Sequence, residues 1–250
     1  PHFLPSSSAP SQNPELSAWY KPRQKLGAAT PRFDRMERAL VNFLVKRASA
    51  NREEIEAELY AALPGLQTPA PAEIDLLLES YAEMHARMER SWQLQDREQP
   101  ANRKQDMRSA VLDLSAIGKK LGYQVAGESP VVWREGSGEA AYCFHILASS
   151  IVSSAIQLSP PGSARERVVV LPGSRCNLLS YKIKENPLFA KAFEGWHTLK
   201  FRHLRSIAKR EELTRQVWQQ LLDADPPCWE EATQFSIFPE VGDLPLFSSL

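Results

Sequence analysis

Residues 130–147 read Pro130-Val131-Val132-Trp133-Arg134-Glu135-Gly136-Ser137-Gly138-Glu139-Ala140-Ala141-Tyr142-Cys143-Phe144-His145-Ile146-Leu147. Two extended apolar runs flank Gly136-Ser137-Gly138, the pattern of a hairpin whose turn needs glycine. Successive side chains of a strand point to opposite faces. The second run therefore puts Tyr142, Phe144 and Ile146 on one face and Ala141, Cys143 and His145 on the other.

Upstream, Met107, Val111, Leu114, Ile117 and Leu121 recur at helical spacing and predict a helix from about 103 to 121, followed by a short strand at 123–125. Downstream come a helix over 149–158, an apolar strand over 168–171, a helix over 177–184 and a strand over 196–201. Helices starting near His203 and Leu213 close the series. The order is α-β-β-β-α-β-α-β-α.

Nearer the N-terminus three helices are expected. Met36, Leu40, Phe43 and Leu44 form one stripe over 33–46. Asn51 caps the second helix, with Glu53 and Glu54 in its first turn and Ile55, Leu59 and Tyr60 inward. Pro71 opens the third, which turns Ile74, Leu77, Leu78 and Tyr81 inward. A short strand follows at 91–94. The chain is thus expected to be α+β, divided into an extended Pro/Ser-rich arm (1–32), a helical unit (33–100), an α/β unit (101–225) and an acidic tail (226–250).

The 250 residues carry 30 basic and 30 acidic side chains, 43% hydrophobic and 24% charged residues. That composition excludes collagen-like, coiled-coil and wholly disordered chains. Three cysteines give no disulfide framework and point to a reducing, cytoplasmic setting. The longest uncharged stretch, 140–158, contains His145, Gln157 and several serines, and reads as strand plus helix rather than a membrane span. Neutrality hides asymmetry: residues 161–210 hold eleven basic against three acidic side chains, and residues 211–250 hold one against eight.

Two segments of the basic block suggest anion chemistry. In Leu171-Pro172-Gly173-Ser174-Arg175 an apolar strand ends in a turn, and Ser174 can cap a helix beside Arg175, either to contact phosphate or simply to close the helix end. Lys182 and Lys184 follow. From Lys200 onward, Arg202, Arg205 and Lys209 share one helix face, while Leu204, Ile207 and Ala208 point elsewhere. These residues are expected to contact a DNA or RNA backbone without reading bases, the alternative being a solvated face neutralised by the acidic tail. His145 with Cys143 would supply only two metal ligands, and no CxxC pair exists, so no metal and no cofactor are expected.

Three helices and a β element within 33–100 resemble a winged helix-turn-helix domain. That family sets its third helix in the DNA major groove. Here that helix carries Glu73, Asp75, Glu79 and Glu83 and no base before Arg87, so phosphates would repel it. The resemblance then implies protein docking, a structural role, or nucleic-acid contact through other surfaces.

The order over residues 103–210 resembles the restriction-endonuclease-like core, the PD-(D/E)xK superfamily. Its nucleases need an Asp on the second strand and an acidic-x-Lys triplet on the third, to bind a divalent metal and position water. The matching positions here hold Val131, His145 and Leu147, while Glu135 and Glu139 flank the turn. The resemblance implies a degenerate copy with no catalytic residue. Chemistry would come from a protein partner in a prokaryotic DNA-processing or antiviral defence complex; a protein-only adaptor and an atypical nuclease using Glu135 and Glu139 are the alternatives. Gly242-Asp243-Leu244-Pro245-Leu246-Phe247 resembles a sliding-clamp docking motif, with Asp243 where the family form has Gln; Leu244, Leu246 and Phe247 would fill the pockets.

Overall fold

The hairpin at Gly136–Gly138 forms the centre of a five-stranded sheet in the computed structural model, which describes residues 30–84, 90–160 and 162–224. The strands are β4 (Gln124–Ala126), β5 (Val131–Arg134), β6 (Ala140–Ile146), β7 (Glu166–Leu171) and β8 (Trp196–Lys200), in the spatial order β4-β5-β6-β7-β8. β4, β5 and β6 run antiparallel, whereas β6, β7 and β8 are parallel. Parallel neighbours require crossovers. The first is α5 (Ser153–Leu158), and the second is α6 (Cys176–Glu185) with α7 (Pro187–Ala192).

Both sheet faces are covered, which is why β6 is buried from Ala141 to Ile146. One face meets α4 (Pro100–Lys120), α8 (Phe201–Ala208) and α9 (Arg215–Asp223) through Leu114, Ile117, Val131, Trp133, Phe144, Leu204 and Trp218. The helix α4 comes closest to this face at Gly118. A Cβ there would stand 2.6 Å from Trp133 Nε1 and 2.7 Å from Val125 Cγ2, so only glycine admits the indole. The other face holds Val152, Val169, Leu171, Leu179 and Trp196.

The N-terminal part comprises α1 (Arg32–Lys46), α2 (Arg52–Ala62) and α3 (Pro71–Tyr81) beside a small antiparallel sheet. That sheet has the order β1-β3-β2, from β1 (Ala50–Asn51), β2 (Ala82–Met84) and β3 (Ser91–Leu94). Asn51 caps α2 as expected: its side chain accepts from the Glu54 N–H, and Glu54 returns the bond to the Asn51 N–H. The core of this part includes Leu178, and Tyr181 packs against it. Helix α6 is therefore buried on two sides.

One expectation needs correction and one element is new. The helix expected over 149–158 starts only at Ser153. Ser150 is withdrawn from helical bonding, because its N–H donates to Glu37 Oε1 (2.8 Å) and its carbonyl accepts from Lys182 Nζ (2.9 Å). Helix α7, which sequence periodicity did not reveal, is capped by Asn186, which accepts from the Phe189 N–H, and carries Pro187 at its first position. The arm up to residue 29 and the tail from 225, including Leu244, Leu246 and Phe247, lie outside the described residues.

Candidate phosphate-binding cleft

In sheets of this kind ligands bind outside the carboxyl ends of the parallel strands. Strand β7 ends at Leu171 and runs through Pro172 into Gly173 and Ser174; β8 ends at Lys200 and runs directly into α8. Between these two ends lies a cleft of about 560 Å³. Its floor and one side are Gly173, Ser174, Lys200 and Phe201, with Arg202 and Arg205 of α8. The opposite side comes from Arg97, Arg103 and Asp106, at the start of α4 and just before it.

The cations of the cleft are held in different ways. Arg103 is buried and fixed: it donates to both oxygens of buried Glu98 and, through Nη1, to Asp106 Oδ2 at 2.9 Å. Arg97, at the rim, stands 3.6 Å from Glu98 Oε1. Arg205 reaches within 3.8 Å of Asp106 Oδ1 and donates from Nε to the Phe201 carbonyl at 3.3 Å. Arg202 is exposed on the first turn of α8 and donates from Nε to His203 Nε2 at 3.1 Å. Lys200 is buried yet contributes to the lining. Two turns beyond Asp106 on α4, the Asp113 carboxyl is pushed up by burial and drawn back by the charges of Arg205 and Lys209.

Four of the eight predicted phosphate-contacting residues, Ser174, Lys200, Arg202 and Arg205, meet in this cleft. The other four do not, and two of these are inaccessible. Arg175 is fully buried behind the cleft, paired with Glu98, donating from Nη1 to the Ser80 carbonyl (2.5 Å) and Oγ (2.7 Å) and lying 3.4 Å from the Tyr81 ring centre. Lys182 is buried between Asp34 and Glu37 of α1. Lys184 is exposed at the other end of α6, and Lys209 is exposed just after α8. Ser174 does not cap α6: its hydroxyl accepts from Arg175 Nη1 at 3.2 Å, and its carbonyl accepts from Ser80 Oγ at 2.7 Å.

The positions matched to nuclease residues separate as well. Val131 lies opposite Phe144 in register and faces the α4 side of the sheet with it. His145 faces the other way, pairing with Val169 and lying 5.7 Å from the Trp196 ring. Val132, not Val131, therefore shares the His145 face, and Leu147 packs beyond it against the Val169 cluster. His145 Nε2 is 2.7 Å from Ser159 Oγ and 3.6 Å from Cys143 Sγ. Burial pulls the imidazole down to about 4 and pushes the Cys143 thiol up. Both are neutral near pH 7. Glu135 and Glu139 sit at the hairpin, the opposite end of β6 from the cleft, and Glu135 is engaged by Arg215 at 3.0 Å. Among the described residues no three His, Cys, Asp or Glu side chains are grouped to hold a metal ion. No described helix is long and apolar enough to cross a membrane.

Comparison with protein-family models and with curated proteins finds no match to this chain.

Proposed function

We propose that this protein is a non-catalytic, nucleic-acid-associated subunit that holds phosphate groups in the cleft between the ends of β7 and β8. The observation carrying this reading is the convergence of Arg97, Arg103, Lys200, Arg202 and Arg205 on one cavity, where Asp106 is the one lining carboxylate among the described residues. Guanidinium groups fit phosphate oxygens bidentately, and an Arg already fixed by carboxylates, as Arg103 is, loses little freedom on binding.

Element order and strand directions in the five-stranded sheet support a restriction-endonuclease-like core. The succession α1-β1-α2-α3-β2-β3 supports a winged-helix-like module before it. The inert reading rests on Val131, Val132, His145 and Leu147 standing where nucleases of this fold carry carboxylates and an amine. A partner protein would then supply the chemistry, in a DNA-processing or defence complex.

The protein-only adaptor reading is weaker on the acidic helix α3. Glu73 is drawn inward, accepting from Arg32 and from the Ala70 N–H, and Asp75 pairs with Arg52. Two of the acids of that helix are thus already used within the fold. The test is binding of labelled DNA and RNA, single- and double-stranded, across a salt series. Binding at about 50 mM salt that weakens steeply with added salt is expected. Replacing Arg202 and Arg205 by Ala should lower the log–log salt slope by about 0.7–0.9 per lost phosphate contact. Failure to retain any nucleic acid at low salt would favour the adaptor.

A further inference from the structure

The two sides of the cleft come from segments far apart in the chain, and one buried side chain ties them together. Arg175 follows Ser174 directly and is itself wholly buried. Its Nη1 addresses the Ser174 hydroxyl at 3.2 Å, on the β7 side of the cleft. Its Nη2 donates to Glu98 Oε2, and both Glu98 oxygens in turn accept from Arg103, on the α4 side. A path of hydrogen bonds thus runs behind the cavity from Ser174 through Arg175 and Glu98 to Arg103.

This brace is anchored from the helical unit. Arg175 Nη1 donates to the Ser80 carbonyl at 2.5 Å and to Ser80 Oγ at 2.7 Å, at the end of α3. Ser80 Oγ donates its own proton to the Ser174 carbonyl at 2.7 Å. That hydroxyl therefore accepts on one side and donates on the other, so it locks the Ser174 backbone to the Arg175 guanidinium. The Tyr81 ring centre lies 3.4 Å from the guanidinium carbon, and the Ala148 carbonyl accepts from Nε at 3.3 Å.

A guanidinium so held is a planar fork that serves several acceptors at once, which an ammonium cannot copy. Without the fork Glu98 would still hold Arg103, but that pair would lose its tie to the β7 side. A cation ordered before its ligand arrives gives up less freedom on binding.

We infer that Arg175 and Ser80 are positioning residues of the cleft: from behind, they set Arg103 against Ser174, so the helical unit completes the phosphate site without touching its ligand. The inference rests on the reading of this cleft as the phosphate site.

The test compares the full chain with its variants Arg175→Lys, Ser80→Ala and Lys182→Met in two measurements. NMR relaxation of the Arg103 Nε–Hε pair reports the order of that side chain with no ligand present. Fluorescence anisotropy with labelled single- and double-stranded oligonucleotides at about 50 mM salt, where phosphate contacts are strong, reports binding. Arg175→Lys should loosen the Arg103 signal and weaken binding about threefold to tenfold, the effect of leaving one long side chain to be ordered by the ligand. Ser80→Ala should do the same to a smaller degree, and because it keeps every buried charge paired it carries the test if Arg175→Lys does not fold. Lys182→Met breaks the separate ion cluster with Asp34 and Glu37, so it should cost stability and change neither readout. An Arg103 signal and an affinity that both survive in Arg175→Lys and Ser80→Ala overturn the inference. So does an equal loss in Lys182→Met, which would show general loosening. A parent chain that binds no oligonucleotide overturns the phosphate reading, and the Arg103 signal then still decides whether Arg175 and Ser80 hold that side chain in place.

Discussion

Lys182 of α6 places its Nζ 2.8 Å from Glu37 Oε2 of α1, a buried ion pair between residues 145 apart in sequence. Asp34 Oδ1 lies 2.7 Å from the same Nζ, and the Ser150 carbonyl accepts a third bond at 2.9 Å. Glu37 also accepts from the N–H and Oγ of Ser150 and from the Tyr81 hydroxyl. One ammonium thus fastens the first helix, the loop after β6 and α6 together. Removing it leaves two buried carboxylates without their cation. Lys182→Met should cost about 3–5 kcal/mol, the usual penalty for orphaning a buried charge. Glu37→Gln should cost less, because Asp34 still pairs the lysine. Urea unfolding curves of the two variants check the order.

Acid should weaken the fold in two separable steps. Burial lowers the His145 imidazole to about 4 from an ordinary 6.5, so between these values the unfolded chain binds a proton that the folded chain refuses. Stability is full above pH 6.5 and falls as pH drops toward 4, by up to about 1.4 kcal/mol per pH unit. Burial raises the Glu37 carboxyl, but the charge of Lys182 and bonds from Lys182, Ser150 and Tyr81 outweigh it and hold the group below its usual 4.5. Its contribution is present above pH 4.5 and is lost only below it. His145→Gln should flatten the upper step and leave the lower one. Urea midpoints from pH 7 down to pH 3.5 would show this, and an unchanged upper step in the variant would contradict it.

The contact of Gly118 with Trp133 gives a packing prediction. Trp133 is fully buried among Tyr123, Tyr142, Phe144 and Trp218, with ring centres 4.5–5.4 Å away. A methyl at position 118 would drive α4 off the indole or turn the indole against those rings. Gly118→Ala should destabilise by about 1–3 kcal/mol, despite the better helix propensity of alanine. The near-ultraviolet circular dichroism of the tryptophans should change with it.

Legibility followed the range of each signal. Asn51 with Glu54, Pro71, and the glycines between β5 and β6 act through neighbours within a few residues, and the elements they mark stand where the sequence put them. The basic block was harder, because the groups that answer its charge lie far upstream. Arg175 pairs with Glu98 and Lys182 with Asp34 and Glu37, so acids of the helical unit neutralise cations expected to meet phosphate. Arg97, Arg103 and Asp106 left no local mark of their role. They become part of the cleft only when the start of α4 comes to rest beside the ends of β7 and β8, whose lining residues are separated from them in sequence by about 65–110 positions. Charge counting finds cations but cannot tell a solvated face from a paired interior.

Asp106 gives the sharpest prediction about the cleft itself. Its two oxygens address Arg103 Nη1 at 2.9 Å and Arg205 Nη1 at 3.8 Å, so it occupies cations that an incoming phosphate would use. It also places a negative charge beside the ligand. Asp106→Asn removes that charge while keeping an oxygen to accept from Arg103. Glu98 still holds Arg103, and the Asp106 pairs are partly exposed, so the cost in stability should stay under about 1 kcal/mol. Phosphate binding should tighten by about threefold to tenfold, the effect of removing one like charge at a partly screened separation. Calorimetric titration of the variant and the parent chain with adenosine monophosphate or a phosphate-ended strand measures the change. Weaker binding in the variant would mean that Asp106 serves the ligand by aiming Arg103 and not by competing for it.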